Sequence, residues 1–301
     1  MEKRVYFHDE IQRNKLKSIF LIGIIFVFLL LLGFLISLSV DPSYFFIVII
    51  FSIIFSIFYI IIGYYNSDKI AIASVGAKPA SREEHRMLLH AVESMSLASG
   101  LPIPKVYVME SSQINAFASG RDPEHAVICV TSGLLERLNK QELEGVIAHE
   151  MSHIANFDIR FMTLTAVLVG MIAIIAEIFL RSMWFHSSGD RKNGKTQLLI
   201  FAIAIIVAIL APILTQLISL AISRKREFTA DATAVKFTRY PTGLRNALVK
   251  IKGESSSYEE RRKYSKEIAP LFISDPFKRK IQGLFSTHPP ITERIKKLEM
   301  M

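Results

Sequence analysis

Residues 139–153 read NKQELEGVIAHEMSH, and the rest of the chain is understood outward from this stretch. Asn139 can accept a backbone N–H while Glu142, three residues on, reaches back, which predicts a helix starting near Asn139. Within that helix His149 and His153 are four residues apart. They lie on one face, one turn above each other, so two imidazole nitrogens can meet one metal ion. Zn2+ suits such a pair because it accepts neutral imidazole in tetrahedral geometry. Glu150 stands beside the first histidine, where a carboxylate can take a proton from water.

A catalytic zinc site needs a third protein ligand and one open position. The metzincin pattern would place a glycine at position 156 and a histidine at 159; here they are Asn156 and Ile159, so that class is excluded. Two downstream glutamates remain. A helix continuing from His153 would carry Glu177 roughly 36 Å away, at about 1.5 Å per residue, which is out of reach. Glu227 follows a later apolar run that brings the chain back to the same side, and geometry selects it. One turn on, Asp231 shares its face and can accept the outer N–H of a ligating histidine.

Four apolar runs organise the chain around this helix. Ser18–Leu38 and Tyr44–Tyr65 carry no charged side chain and are each long enough to cross a bilayer as a helix. Asp41-Pro42-Ser43 makes the turn of this helical hairpin. The first run is too long for the core of a cleavable signal peptide, and no small-x-small site follows it. The second pair runs from about Phe161 to Phe179, interrupted by Glu177, and from about Leu198 to Ile222, with Pro212, Thr215 and Gln216 inside. Such residues are tolerated where a neighbouring helix satisfies them.

Lys3, Arg4, Arg13, Lys15 and Lys17 precede the first run, and Lys69, Lys78 and Arg82 follow the second. Arg224, Lys225 and Arg226 follow the fourth. The bias of Lys and Arg places both termini and the 66–160 segment in the cytoplasm. Arg181, Arg191, Lys192 and Lys195 run against it in the loop expected outside; the first hairpin is taken to dominate.

Between the two pairs, Ser81–Ser99 reads as a helix. Lys105–Glu110, Ile114–Ala118 and His125–Thr131 read as strands, the last two paired as a hairpin through Gly120-Arg121-Asp122-Pro123. The expected fold is an α+β membrane protein, mostly helical. It has about four transmembrane helices and a cytoplasmic zincin-like domain with a small β-sheet. Its parts are a hairpin over 1–65, a first catalytic segment over 66–160, a second hairpin over 161–222 and a closing catalytic segment over 223–301.

Composition agrees with this plan. Of 301 residues 51% are hydrophobic, the mean hydropathy is +0.36 and the net charge is +9. The basic residues follow membrane ends and form no nucleic-acid recognition module, so nucleic acid is not an expected partner. The one cysteine, Cys129, sits in a strand-like apolar stretch and cannot form an internal disulfide. His8, His85, His90, His125 and His186 have no ligand spacing with one another and read as surface or core residues.

The chain resembles the HtpX-like membrane zinc metalloproteases, relatives of the CAAX prenyl endopeptidases, through nearly all its length. Asn115-Ala116-Phe117-Ala118, His149-Glu150-x-x-His153, Ser223-Arg224-x-Arg226-Glu227-x-x-Ala230-Asp231 and Phe285-Ser286-Thr287-His288-Pro289-Pro290, then Arg294, carry the resemblance. It implies one zinc per subunit, held by His149, His153 and Glu227. It also implies a substrate-receiving strand edge at Asn115 and Ala116, and a role for His288 in stabilising the oxyanion. On the residues alone His288 reads as a turn residue ahead of a proline-started helix; within the resemblance, Arg294 is taken as a structural tie rather than a catalyst. The expected activity is peptide-bond hydrolysis at the cytoplasmic face of the plasma membrane. Its partners would be polypeptides, membrane proteins above all, and its task would be quality control. A zinc-held scaffold without turnover is the competing class; it has no need of a base at Glu150. A prenyl endopeptidase would need a larger intramembrane chamber than four runs provide.

Overall fold

The computed structural model describes residues 7–38, 42–165, 224–253, 272–273 and 289–301. Helices α1 (Phe7–Leu38) and α2 (Phe45–Tyr65) pack against each other as the hairpin read from the sequence. Leu21, Ile25 and Phe28 of α1 are buried, while Phe46, Phe51 and Phe58 of α2 are 74, 67 and 64% exposed. Among the described residues, α2 is the helix long and apolar enough to cross a membrane. So much exposed aromatic surface would be costly in water and is what a lipid-facing helix carries. The fourth apolar run, and the third beyond Thr165, lie outside the described residues.

Short helix α3 (Ser67–Ser74) leads into a four-stranded sheet of β1 (Lys78–Pro79), β2 (Lys105–Met109), β3 (Ala116–Gly120) and β4 (Ala126–Thr131). The order is β1-β2-β4-β3, with β2 and β4 parallel and β3 antiparallel to β4 in the predicted hairpin. Side chains alternate between two covered faces, as a period of two requires. Ala116, Ala118, Ile128 and Val130 face α4 (Arg86–Ser99) and α6 (Lys140–Ala155). Phe117, Val127 and Cys129 face Ala71, Ile72 and Met162. Burial on both sides explains why these strands read as unbroken apolar runs.

Several boundaries differ from the sequence reading by one to five residues, and the side chains explain two of them. Helix α4 starts at Arg86 rather than Ser81, because Ser81 closes a separate turn. Its carbonyl accepts from His85 N–H, its hydroxyl from Glu84 N–H, and its own N–H donates to His85 Nδ1. Strand β3 begins two residues later than expected. Thr131 Oγ1 accepts from Asn115 N–H and donates to the Gln113 carbonyl, holding 113–115 in a bend.

After α5 (Ser132–Arg137), α6 begins with the predicted capping box, Asn139 Oδ1 accepting from Glu142 N–H and Glu142 Oε2 from Asn139 N–H. Helices α7 (Arg224–Thr238) and α8 (Pro241–Gly253) pack against it, and α9 (Ile291–Leu298) packs on α8 and α7. Helix α8 approaches so closely that a Cβ on Gly145 would lie 2.5 Å from Leu244 N and 2.8 Å from its Cα. Both groups are backbone and cannot rotate away. Gly145→Ala should therefore cost about 1–3 kcal/mol through overpacking, read as a lower unfolding midpoint at unchanged slope.

The base of the hairpin is tied to the sheet end. The Arg121 guanidinium lies over the Tyr65 ring and donates to the Tyr65 carbonyl, Arg160 lies over Tyr64, and Lys15 over Phe157. The helix bearing the two histidines is thereby held close to the end of α2.

Candidate metal centre

His149 and His153 project from the buried side of α6, their rings 4.8 Å apart and nearly perpendicular. Their Nε2 atoms face each other at 3.3 Å. Glu227, in the first turn of α7, enters from the opposite side, 3.6 Å from His149 Nε2 and 3.7 Å from His153 Nε2. All three are buried, and one ligand atom from each lies within 4.8 Å of the others.

The donor set can be tested against an ion. Tetrahedral bonds of about 2.0–2.1 Å separate ligand atoms by about 3.3–3.4 Å. The two Nε2 atoms already stand 3.3 Å apart, while Glu227 approaches with different oxygens, Oε2 at 3.6 Å from His149 and Oε1 at 3.7 Å from His153. Two imidazoles and one carboxylate fit a metal here once the carboxylate turns one oxygen towards both rings.

The remaining polar atoms of the histidines are also engaged. His149 Nδ1 lies 3.0 Å from Asp231 Oδ1, the partner expected from the sequence. His153 Nδ1 lies 3.1 Å from Asp158 Oδ2, a partner the sequence reading missed. That reading assumed a helix unbroken from His153; α6 instead stops at Ala155, and Phe157 adopts φ 57° before helix resumes over 158–165. The signal available was Asn156, a residue type common where helices end.

Arg294 is wholly buried. Its Nε and Nη2 grip the two oxygens of Asp231 at 2.9 and 2.6 Å, and its Nη1 lies 3.1 Å from Glu227 Oε2. It also reaches the Ile273 carbonyl at 3.5 Å. Arg294 thus sits directly behind the candidate ligands.

Asn115 and Ala116 lie where edge strand β3 begins. Asn115 Oδ1 accepts from Ala116 N–H, and the Ala116 carbonyl accepts from Ile273 N–H at 2.9 Å. Phe272 bridges to Phe117 there, with ring centroids 5.1 Å apart. His288, like Glu177, lies outside the described residues.

Burial dominates the electrostatics. It pushes the Glu150 carboxyl up to about 7, helped by the Glu227 charge and opposed by His153, Arg294 and the Ala118 backbone N–H. Burial and the Arg294 charge hold His149 below the usual imidazole range. For His153 burial works downward too. The Asp158 hydrogen bond and the charges of Glu227, Asp158 and Glu150 outweigh it, pushing the ring up to about 9. For Asp231, burial is outweighed by Arg294 and His149, and the carboxyl stays below its ordinary value.

A histidine raised to about 9 carries a proton below that pH, and a metal ion requires it neutral. Loading the metal-free protein with zinc at pH 8 should therefore release about one proton. Affinity should fall roughly tenfold for each pH unit lowered from there. Proton counting during titration in weak buffer checks this; zero release would contradict the assignment of His153.

Residues 82–301 match the family described as Peptidase family M48. "Protease HtpX homolog" of Caldanaerobacter subterraneus subsp. tengcongensis is 50% identical over 256 residues, 84% of either chain. The protein of the same name from Dictyoglomus thermophilum is 41% identical over 295 residues, 98% of this chain and 95% of that one. In fold, the chain is similar to the crystal structure of S. mikatae Ste24p, with a TM-score of 0.51 at 20% identity. That likeness covers 89% of this chain and 61% of the larger one.

Proposed function

This chain belongs to peptidase family M48, and we propose that it is a zinc-dependent endopeptidase anchored in the plasma membrane, cutting polypeptides at the cytoplasmic face. The observation that carries the proposal is the convergence of His149, His153 and Glu227 within 4.8 Å, with Glu150 on the same helix. Two imidazoles and one carboxylate form the donor set of gluzincin-type catalytic zinc sites, which keep a fourth position open.

Zinc bound there would supply Lewis-acid chemistry, acidifying water and polarising the scissile carbonyl. Glu150, poised near neutrality, takes a proton from the attacking water and delivers it to the leaving amine. Asp231 holds His149 from its outer nitrogen, and Arg294 holds Asp231. His288, by the resemblance alone, would donate to the developing oxyanion. An extended substrate pairing with β3 at Asn115 and Ala116 would be read mainly through its backbone and bound with little sequence selectivity. The Ala116 carbonyl is held by Ile273 N–H, so pairing at that residue requires Ile273 to give way.

The membrane half of the proposal rests on α2 and on the apolar runs of the sequence. Four spans would divide the catalytic part into 66–160 and 223–301, both cytoplasmic by their basic flanks. A site held close to the end of α2 would meet membrane proteins and misfolded chains near the bilayer, a setting suited to quality control.

Casein cleavage by the detergent-purified full chain tests the chemistry. The expected result is cleavage lost to a chelator and restored by stoichiometric zinc. Cleavage indifferent to the chelator would overturn the metal-dependent reading.

A further inference from the structure

The candidate ligands are backed by two similar chains of charge, only one of which the sequence made visible. Behind His149 stand Asp231 and then Arg294. Behind His153 stand Asp158 and then Arg226, whose Nη1 lies 3.6 Å from Asp158 Oδ1. The two oxygens of Asp158 are thus divided, Oδ2 to the histidine and Oδ1 towards the guanidinium. Asp158 is 1% exposed and Arg226 8%. Arg226 also lies over the Phe161 ring, 5.2 Å from its centroid.

A continuous helix could not make this contact. Five residues at about 100° each would put Asp158 roughly 140° around from His153 and about 7.5 Å along the axis. The chain instead ends α6, sets Phe157 at φ 57°, and starts a new helix at 158 whose first residue folds back onto His153. A left-handed phenylalanine costs on the order of 1 kcal/mol or more and persists only where its surroundings hold it.

We propose that Asp158 is the positioning residue of His153. It fixes the ring from Nδ1 so that Nε2 faces the metal position, the Phe157 turn delivers it there, and Arg226 balances its buried charge. Arg226 directly precedes Glu227, so the same contact ties the third candidate ligand to the second histidine across α6 and α7. The proposal rests on the metal-peptidase reading and adds to it a residue outside the candidate ligand set.

The test is zinc affinity, measured by competition with a chromophoric chelator on the full chain in detergent, beside unfolding of the metal-free protein. Asp158→Ala should weaken zinc by roughly 10–100-fold. Asp158→Asn, which can still accept from the ring N–H, should lose less. Because Asp158→Ala takes a buried carboxylate away from Arg226, the double variant Asp158→Ala with Arg226→Met removes the buried pair together. It should unfold near the wild-type midpoint yet still bind zinc 10–100-fold more weakly. A double variant that folds and binds zinc like the wild type would overturn the positioning role and leave the peptidase reading standing. A wild type that binds no zinc would overturn both.

Discussion

Glu150→Gln should abolish casein cleavage, lowering the rate by about 10²–10⁴-fold, while zinc content stays equal to that of the wild type. Glu150 is 2% exposed and lies among His153, Glu227, Arg294 and the Ala118 N–H, and burial raises it to about 7. A carboxyl with that pKa is divided between base and acid near neutral pH, as a group that first takes and then returns a proton must be. Glutamine keeps the volume and the acceptor for Ala118 but cannot exchange the proton. Neither His149, His153 nor Glu227 loses an atom, so metal binding should persist. Activity near the wild-type level would remove Glu150 from the mechanism.

The second large effect is expected at Arg294. Its guanidinium is wholly buried and holds Asp231 through two parallel contacts, with Glu227 on its third nitrogen. Arg294→Ala would leave two carboxylates buried beside each other with their shared cation gone. Breaking a buried ion pair from one side costs about 3–5 kcal/mol. The metal-free protein should therefore melt lower by on the order of 10 °C. Arg294→Lys should recover little, because an ammonium cannot grip both oxygens of Asp231 and reach Glu227 at once. Zinc should narrow the gap, since the ion brings positive charge back to Glu227. Melting of Arg294→Ala within a degree of the wild type would show that the cluster contributes no net stability.

Much of this centre was legible because its parts are local. The capping box needs only Asn139 and Glu142, and the histidine pair needs only the period of a helix. The β3–β4 hairpin followed from a turn signal between two apolar runs. Glu227 and Asp231 required one further step, the expectation that the chain returns through the fourth run to the side it left. Asp158 was hidden by a backbone event. Nothing in the side-chain pattern demands that Phe157 turn left-handed, and without that turn Asp158 points elsewhere. Arg294 was known by resemblance, but its burial was not. Its partners lie on α6 and α7, far away in sequence, and an arginine near the chain end ordinarily reads as surface. The pairing of Ile273 with Ala116 is hidden for the same reason, since an isolated bridge between positions so far apart in sequence carries no periodicity.

The most direct test is anomalous diffraction at the zinc edge from crystals of the zinc-loaded Glu150→Gln chain. One peak is expected, bounded by His149 Nε2, His153 Nε2 and the Glu227 carboxylate. A peak elsewhere, or one lacking any of these three, would contradict the assignment of the metal centre.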